Sequence, residues 1–596
     1  MKKIINIFNS MIIAFALVVT ISSCDDMLDL QPESNPSDAV MWTSPAVFEK
    51  EANNFYSWLP RFMNTGGTVG LMDREEMADT KMWALIVNQI SNSTYGTIEE
   101  DEYYTEYFKR MRSINYLFKN AADYPNPDEI KQYVAEAHFF RAFYSYLVFI
   151  DFGPLTIVKE VLDATSPEVT APRASRDEFA NFIIEDLEEA INIGALPKQS
   201  AIANTNPQNG RISLGAAQAL LARMCLFEGT WQKYHYQNTS RSNELLTKAA
   251  NYADMVIADD SYALFRDVRM GVESYRYMFI LESATKCNYW NVLKSANREY
   301  IFRNRFHENT RQSGQNVTLR ADVQTHLTRK MVEMFLDRNG NVTTPDYITS
   351  LGSYKDNRDP RLSTTCISIG QLYWNYASGS TLTRDRADSL TMVYRAYNGT
   401  GFYCNKLAGL RPVDQYSDGF DVPIIRLAEV YLTYAEAKCE LGGGNISDAD
   451  LDKSINKLRD RVDMPHLTQA TVPAGSTMLN EIRRERTVEL FLEGFRYDDL
   501  RRWKTAETEM SQNLEGVWMG PGSAFDQTWQ FVSTSLNKSY TYYPNENQAF
   551  PLSDDGYTIR EAASGRQFQQ KHYLRPLPTK QIELNPNLEQ NPGWDN

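Results

Sequence analysis

The stretch IRRERTVELFLEGFRYDDLRRW, residues 482–503, places apolar and charged residues at helical spacing and is interrupted at Gly494. It predicts two consecutive helices, over Leu479–Leu492 and Phe495–Lys504. The glutamates of this region recur at intervals of four and would therefore share one helical face. They are Glu481, Glu485, Glu489 and Glu493.

Two chemical interpretations fit these glutamates. A pair of carboxylates can serve as the acid and the base of a glycoside hydrolase. However, an arginine partner keeps a carboxylate ionised, whereas a general acid needs a raised pKa. The composition therefore favours a structural network of ion pairs between the two helices over a catalytic pair. The accompanying arginines are Arg484, Arg486, Arg496, Arg501 and Arg502.

Helical periodicity also occurs far from this stretch. In Ser175–Ile191, Ser175 precedes Glu178 by three residues and predicts a capping box at the helix start. Small residues recur where helices must approach closely, as in tetratricopeptide helix hairpins, although the spacing between pairs is irregular. The other predicted helices are Glu100–Asn120, Asp128–Phe149, Ser213–Glu228, Asn243–Ala258 and Arg426–Leu441.

The middle of the chain has a different composition. Residues 261–422 are rich in Gly, Asn, Ser, Thr and aromatic residues, with short candidate strands at Tyr300–Arg303 and Leu362–Ile367. Long irregular segments usually carry function rather than framework. We therefore predict a helical region over residues 41–260, a loop-rich ligand-binding region over residues 261–422, and a helical region with a tail over residues 423–596.

The first residues have the pattern of an exported lipoprotein. Lys2 and Lys3 precede the apolar run Met11–Ile21, which is too short to span a bilayer, and two small residues stand directly before Cys24. This arrangement predicts that residues 1–23 are a signal peptide and that Cys24 receives acyl chains such as palmitate. Residues 24–40 are polar and suit an extended tether to the membrane. The alternative is an ordinary secretory signal in which Cys24 is incidental.

Composition argues against several classes of function. The formal net charge is −15 and no long basic run occurs, so the protein is a poor candidate for binding nucleic acid. The six histidines are scattered without metal-ligand spacing. The sequence also lacks the common nucleotide-binding and hydrolase motifs. We therefore expect no metal site, no cofactor and no catalytic residues.

The six cysteines are widely spaced, and none forms a C-x-x-C pair. Cys225 and Cys439 lie within apolar helical patterns, where a buried free thiol is the expected state. The pattern leaves open one disulfide among Cys287, Cys366 and Cys404.

Aromatic residues make up 12% of the chain and supply the candidates for a binding site. Sugar rings present apolar C–H faces that stack on Trp or Tyr, while their hydroxyl groups need nearby polar side chains. Three clusters combine both kinds of group, whereas Trp503 and Trp594 are expected to be packing residues. The candidate ligand-binding residues are Asp73, Arg74, Trp83, Asn288, Tyr289, Trp290, Tyr373, Trp374 and Tyr376.

Several sequence blocks, in this order, resemble the SusD/RagB family of nutrient-binding outer-membrane lipoproteins. Together they cover essentially the whole chain after Cys24. The departures from the family pattern lie mostly in the aromatic middle region. The blocks are CDDMLD at 24–29, AEAHFFRAFY at 135–144, FGPL at 152–155, GR at 210–211, NRDPRL at 357–362, the stretch 482–503, LRPLP at 574–578 and QNPGW at 590–594.

The resemblance implies a mostly helical fold with four tetratricopeptide-like helix pairs and a binding face built from loops. It also implies a lipid-anchored protein at the outer-membrane surface that docks on a SusC-like TonB-dependent transporter. Family members typically capture glycans, and some handle peptides. We therefore expect an oligosaccharide-binding protein without enzymatic activity. The alternatives are a surface glycoside hydrolase and a helical scaffold that binds peptides or proteins.

Overall fold

The computed structural model describes residues 42–65, 67–83, 88–202, 209–283, 290–317, 324–343, 357–366, 372–375, 380–383, 400–409, 418–518, 529–533, 538–542 and 551–594. Helices form most of the framework, as the sequence predicts. They are α1 Pro45–Phe55, α2 Leu71–Glu75, α3 Glu102–Ala122, α4 Pro127–Phe152, α5 Arg176–Asn192, α6 Leu214–Trp231, α7 Thr239–Ile257, α8 Ser274–Tyr277, α9 Arg329–Met334, α10 Pro360–Thr365, α11 Leu427–Leu441, α12 Asp448–Lys453, α13 Ile455–Arg461, α14 Met478–Glu489, α15 Arg496–Arg502, α16 Ala506–Glu509 and α17 Thr579–Leu584.

Short antiparallel strands join segments that are distant in sequence. They are β1 Lys81–Trp83, β2 Tyr300–Asn304, β3 Thr325–Leu327, β4 Leu372–Asn375, β5 Ser380–Thr383, β6 Phe402–Tyr403, β7 Val422–Arg426, β8 Leu514–Trp518, β9 Trp529–Ser533, β10 Lys538–Tyr542 and β11 Tyr557–Glu561. The strands β1, β3 and β6 form one sheet, while β2 pairs with β7, β4 with β5, β8 with β11 and β9 with β10.

The helix α4 lies in the core, with α1, α3 and α5 packed around it. It begins at Pro127 and ends before Gly153, whose φ of +74° favours glycine. The ring of Phe139 packs edge-on against Phe302 of β2, with the ring centroids 5.3 Å apart. The strand β2 is thereby fixed against the N-terminal helices.

The helices α4, α5, α6, α7, α11 and α14 form a stack in which each packs on the next. The start of α5 has the predicted capping box between Ser175 and Glu178. Close approach of α6 and α7 depends on small residues, because a Cβ atom at Gly229 would lie 3.0 Å from Cγ of Leu246. This stack is the scaffold that holds the loops.

The glutamates of the stretch 482–503 lie in a buried network of ion pairs, which agrees with the structural interpretation of that stretch. The Nη1 atom of Arg426 lies 2.7 Å from Glu489, and its Nε atom lies 2.6 Å from Glu493. The partners come from other segments of the chain rather than from the adjacent helix. The partners of Glu485, Glu489 and Glu493 are Arg361, Lys406, Arg426, Arg459 and Arg461.

The network keeps its carboxylates charged in spite of burial. Burial alone raises the pKa of Glu489, but Arg461 and Arg426 outweigh this effect and hold that pKa well below its ordinary value. A carboxylate in this state cannot donate a proton near neutral pH. Among the arginines of the stretch, Arg496 pairs with Asp79 at 2.8 Å and Arg502 with Glu436 at 2.6 Å. Arg486 pairs with Asp499 at 2.8 Å and so joins α14 to α15, whereas Arg484 pairs with Glu481 within α14.

Two predicted elements need correction. Leu362–Ile367, predicted as a strand, is helical up to Thr365, because Asp359 accepts a hydrogen bond from the Arg361 amide at 2.9 Å and Pro360 opens α10. The helix predicted over Leu479–Leu492 ends at Glu489, so Glu493 does not share a helical face with the other three glutamates. The strand predicted at Tyr300–Arg303 is confirmed as β2.

The predicted packing residues are buried. The indole of Trp503 donates to Glu436 at 2.6 Å, and that of Trp594 donates to the Lys571 carbonyl at 2.9 Å. Cys225 and Cys439 are buried free thiols, as predicted. Cys366 and Cys404 are also buried and free, and they face each other in an antiparallel bridge. Cys287 lies outside the described residues. No helix in the described part of the chain is long and apolar enough to cross a membrane.

Candidate ligand-binding site

An open cleft of about 800 Å³ lies between α2, the end of β1 and the segment that precedes α3. Its lining combines two aromatic side chains with amides and carboxylates. The lining residues that matter below are Asn64, Asp73, Glu76, Trp83, Tyr95, Asp101, Gln315 and Arg575. Two of the predicted ligand-binding residues, Asp73 and Trp83, thus lie in one cleft.

The position of Asp73 is fixed by the loop before α2. The main-chain amide of Asn64 donates to Oδ2 of Asp73 at 2.6 Å, and the main-chain amide of Gly70 donates to the side-chain oxygen of Asn64 at 2.7 Å. On the other side of the loop, the side chain of Gln315 exchanges two hydrogen bonds with the main chain of Met63, at 3.1 and 2.8 Å. The polar wall of the cleft is therefore held in place by the protein itself.

Trp83 is the last residue of β1, opposite Thr325 of β3. The strand is anchored by Lys81, whose buried ammonium group donates to Glu76 and to the Met72 carbonyl at 2.8 and 3.0 Å. Successive side chains of a strand point to opposite faces, so Lys81 and Trp83, two positions apart, lie on the same face of β1. Lys81 is buried there, and Trp83 is half-buried at the cleft.

Tyr95 and Arg575 also line the cleft, although neither is among the residues predicted from the sequence. The ring of Tyr95 packs against Trp594 and His572, with centroids 5.2 and 5.4 Å apart. Arg575 donates to Asp101 at 2.7 Å. The polar run that precedes Tyr95 is a weak signal for a loop, and Arg575 lies in the block LRPLP, but nothing in the sequence joins these two segments.

Arg74 lies away from the cleft. It is only 8% exposed, and its guanidinium group pairs with Asp151 at 2.8 Å and with Asp498 at 2.6 Å. A guanidinium group between two buried carboxylates uses its hydrogen-bond donors within the protein. Arg74 thus belongs to the ionic framework beside the cleft, and its predicted role in ligand binding stays a prediction.

The remaining candidates lie elsewhere or outside the described residues. Trp290 is half-buried and packs edge-on against Tyr277, with centroids 4.7 Å apart. It does not line the cleft. Tyr373 and Trp374 lie on β4, which pairs with β5. Asn288, Tyr289 and Tyr376 fall outside the described residues, so their predicted roles stay predictions.

One carboxylic acid near α2 has the raised pKa that acid catalysis requires. Burial raises the pKa of Glu75 to about 7. Its side chain accepts a hydrogen bond from Thr80 at 2.7 Å, is 1% exposed, and does not line the cleft. No group of three or more His, Cys, Asp or Glu side chains within the described ranges is arranged to hold a metal ion.

Comparison with known proteins identifies the family. Residues 291–594 match the family model described as "SusD family", and residues 26–226 match the one described as "Starch-binding associating with outer membrane". The chain belongs to the SusD family. The resemblance inferred from the sequence blocks is thereby confirmed. A curated relative, SusD-like protein P38 of Formosa agariphila, is 25% identical over 199 residues, which span 32% of this chain and 38% of that relative.

Solved structures of the SusD family share the fold. A SusD-like carbohydrate-binding protein from Bacteroides fragilis has a TM-score of 0.67 at 20% identity, covering 92% of this chain and 100% of its own. A second SusD-like protein from Bacteroides fragilis has a TM-score of 0.66 at 20% identity, over 94% and 98% of the two chains. A laminarin-binding SusD-like protein has a TM-score of 0.56 at 17% identity, over 92% and 100%. The predicted mostly helical, SusD-like fold is confirmed.

Proposed function

We propose that this protein captures an oligosaccharide in the cleft around Asp73 and Trp83 and delivers it to a SusC-like TonB-dependent transporter. The observation that carries the proposal is the convergence of Trp83, Tyr95 and Asp73 on one cleft. Aromatic faces suit the apolar C–H faces of sugar rings, and a carboxylate and amides suit their hydroxyl groups. Relatives named as carbohydrate-binding and laminarin-binding proteins support the same ligand class.

The polar groups of the cleft are held in place before any ligand arrives. The loop around Asn64 and Asp73 is fixed by hydrogen bonds to its own main chain and to Gln315. A wall that is already ordered loses little conformational freedom when a ligand binds, which favours affinity. This arrangement suits a receptor that binds its ligand without rearranging.

Non-covalent binding, without cleavage of the glycan, is favoured over glycoside hydrolysis. The carboxylates of the cleft are engaged within the protein: Asp73 by the Asn64 amide, Glu76 by Lys81 and Asp101 by Arg575. A hydrolase would need one carboxylic acid with a raised pKa next to a second carboxylate at the bond to be cleaved. Glu75, which has the raised pKa, lies beneath the cleft wall rather than in it.

Membrane attachment through a lipid on Cys24 completes the proposal. The sequence pattern before Cys24 supports acylation, and the family description "associating with outer membrane" supports the location. A tether of about 17 residues, at roughly 3.3 Å per extended residue, would let the protein stay with its transporter while it moves over it. Replacing Cys24 with Ala should release the protein from the membrane without unfolding it.

A glycan-binding screen followed by calorimetry tests the binding proposal. For a glycan that binds, Trp83→Ala should weaken the affinity about tenfold, equivalent to about 1.4 kcal/mol for the loss of one stacking contact. Trp518→Ala is the matched control, because Trp518 also lies on a short strand and is partly exposed outside the cleft. Equal affinities of the two variants would count against this cleft, and cleavage of the glycan by the purified protein would revive the hydrolase.

The transporter proposal needs a separate measurement. Affinity purification of the tagged, lipidated protein from solubilised outer membranes should recover a TonB-dependent transporter. A helical scaffold that binds only proteins would instead retain protein partners and bind no glycan. Recovery of no transporter, with glycan binding intact, would contradict delivery but not capture.

A further inference from the structure

A second cleft, of about 560 Å³, lies beside the end of β2 and is lined by cationic side chains. Its lining includes one carboxylate, Glu49. This composition contrasts with the net charge of −15 for the whole chain. The cationic lining residues are Arg211, Lys294, Arg303, Arg305 and Arg311.

Three of these cations are balanced by carboxylates of the framework. Lys294 and Arg303 share Asp421, at 2.9 and 3.2 Å, and Asp421 is 4% exposed. Arg211 pairs with Glu136 at 2.7 Å and with Glu49 at 3.1 Å. These ion pairs fix the floor of the cleft.

Arg305 and Arg311 form no ion pair with any residue that the structure describes. Arg305 donates to the Asn209 carbonyl. Arg311 donates to the side-chain oxygen of Asn304 at 3.1 Å and to the Arg305 carbonyl. Arg305 and Arg311 are exposed residues whose guanidinium groups are oriented by neutral acceptors. Asp421, which Lys294 and Arg303 share, attracts both of them at longer range.

The local chain geometry brings these two charges together. Reciprocal main-chain hydrogen bonds between His307 and Arg311, of 2.8 and 3.1 Å, fold the chain back after β2. The guanidinium group of Arg311 then lies 4.8 Å from the ring centroid of Phe306, which also contacts Arg61 at 5.5 Å. Arg311 is held in place by this contact as well as by its hydrogen bonds.

A glycine makes room for Arg305. Gly210 has a φ of +92°, and a Cβ atom there would lie 2.3 Å from Cδ of Arg305. The stem of Arg305 therefore passes directly over the Gly210 main chain. Desolvation lowers the pKa of both Arg305 and Arg311, and Asp421 offsets part of this effect at each. The charge of Arg303 lowers the pKa of Arg305 further, and the charges of Arg61 and Arg305 lower that of Arg311. Repulsion among these cations would be relieved by an anion.

Glu308, the acid between Arg305 and Arg311 in sequence, is 7% exposed, and its Oε2 atom lies 3.9 Å from Nδ1 of His307. The two segments that adjoin the lining residues in sequence contain no carboxylate. Residues 203–208 and 284–289, which lead into and out of the lining segments, have the sequences ANTNPQ and ATKCNY. A guanidinium pair in a concave site fits the paired oxygens of a sulfate or carboxylate group.

We propose that this second cleft binds an oxyanion, the sulfate ester or carboxylate of an acidic sugar residue. The identity of the sugar rests on the proposed function, whereas the affinity of the cleft for the anion does not. Arg305 and Arg311 supply the charge, and Gly210 and Phe306 set their positions. The ligand class is therefore narrowed from oligosaccharides in general to anionic ones.

Calorimetry with the full mature protein tests this inference with two probes, inorganic sulfate and a sulfated oligosaccharide compared with its desulfated form. The variants are Arg305→Gln, Arg311→Gln and Arg305→Lys. Arg298→Gln is the matched control, because Arg298 is an exposed arginine bonded to the main-chain carbonyls of Ser261 and Asp260. Thermal unfolding of each variant shows whether its fold is intact.

The sulfated probe should bind at least tenfold more tightly than the desulfated one, and its affinity should fall as the salt concentration rises. Both glutamine variants should lose this preference, Arg305→Lys should keep part of it, and Arg298→Gln should keep all of it. Binding of inorganic sulfate alone would support the cleft with a free anion as its ligand. If neither anion binds, or if folded glutamine variants bind as well as the parent, the inference is overturned. Trp83→Ala should leave sulfate binding unchanged, which separates this test from that of the first cleft.

Discussion

Arg426 and Glu489 form an ion pair of 2.7 Å in which neither side chain is more than 1% exposed. The same guanidinium group also pairs with Glu299 at 2.7 Å and with Glu493 at 2.6 Å. It therefore joins β7, the segment before β2 and the segment after α14. A single cation holds together three parts of the chain that sequence alone does not connect.

Replacing Arg426 with Ala should lower the free energy of unfolding by about 3–5 kcal/mol, because buried carboxylates would lose their cation. Urea denaturation followed by circular dichroism measures the change. Lys109→Ala is the control, since Lys109 pairs with Glu106 on the surface and should cost less than about 1 kcal/mol. Similar losses in both variants would show that the network does not depend on Arg426.

Glu75 gives the protein a pH dependence opposite to that of most acidic residues. Its raised pKa means that the folded state holds a proton that the unfolded state releases. The resulting stability is fully present below the ordinary pKa of 4.5 and is lost as pH rises through about 7. As the pH rises from 5 to 8, the parent should therefore lose up to about 3 kcal/mol of unfolding free energy that the Glu75→Gln variant keeps. Urea denaturation at both pH values measures this, with Glu106→Gln, whose side chain is 28% exposed, as the control.

Gly70 controls the polar wall of the first cleft. A Cβ atom there would lie 2.3 Å from the carbonyl carbon of Met63 and 2.6 Å from the amide nitrogen of Asn64. Gly70→Ala should displace the loop that orients Asp73, costing about 1–3 kcal/mol of stability and about tenfold in affinity for a bound glycan. Calorimetry measures both losses against Gly565→Ala, where a Cβ atom would meet nothing within 4 Å. Unchanged affinity would mean that Asp73 is not a ligand contact.

The buried thiols should not react while the protein is folded. Cys225, Cys366, Cys404 and Cys439 are free and buried, and burial raises the pKa of Cys404 to about 12. In a Cys24→Ala, Cys287→Ser background, Ellman's reagent should detect no thiol until urea is added and four thereafter. Fewer than four thiols after unfolding would reveal a disulfide. Cys366 and Cys404 would then be the first pair to examine, because a main-chain β-bridge places them opposite each other.

Sequence periodicity predicts the helices well because each depends on residues three or four positions apart. The ionic core is harder to predict. Its carboxylates are visible in the stretch 482–503, but Glu489 finds its partners in Arg361, Arg426 and Arg461, which lie on separate segments. Such pairing depends on the tertiary fold, and adjacency in sequence instead suggests the arginines of the stretch itself.

The lining of the first cleft is also only partly predictable from the sequence. Asp73 and Trp83 were identifiable as a polar and an aromatic residue in one loop-rich segment. The sequence does not show which of the adjacent residues Asp73 and Arg74 faces the cleft. Neighbouring residues of a helix differ by about 100° in direction, and only the packing of the helix shows which of them is buried. To place Tyr95 and Arg575 in the cleft, one must know that residues 499 positions apart are neighbours (594 − 95 = 499), as the spacing of 5.2 Å between the rings of Tyr95 and Trp594 shows.

The packing of Trp594 against Tyr95 has a consequence for biogenesis. Arg575 and Pro576 line the first cleft, and His572 and Trp594 pack against Tyr95, so the cleft is incomplete until the last part of the chain has been synthesised. Because synthesis begins at the amino terminus, the segment with Asp73 and Trp83 is made long before the residues that complete the cleft.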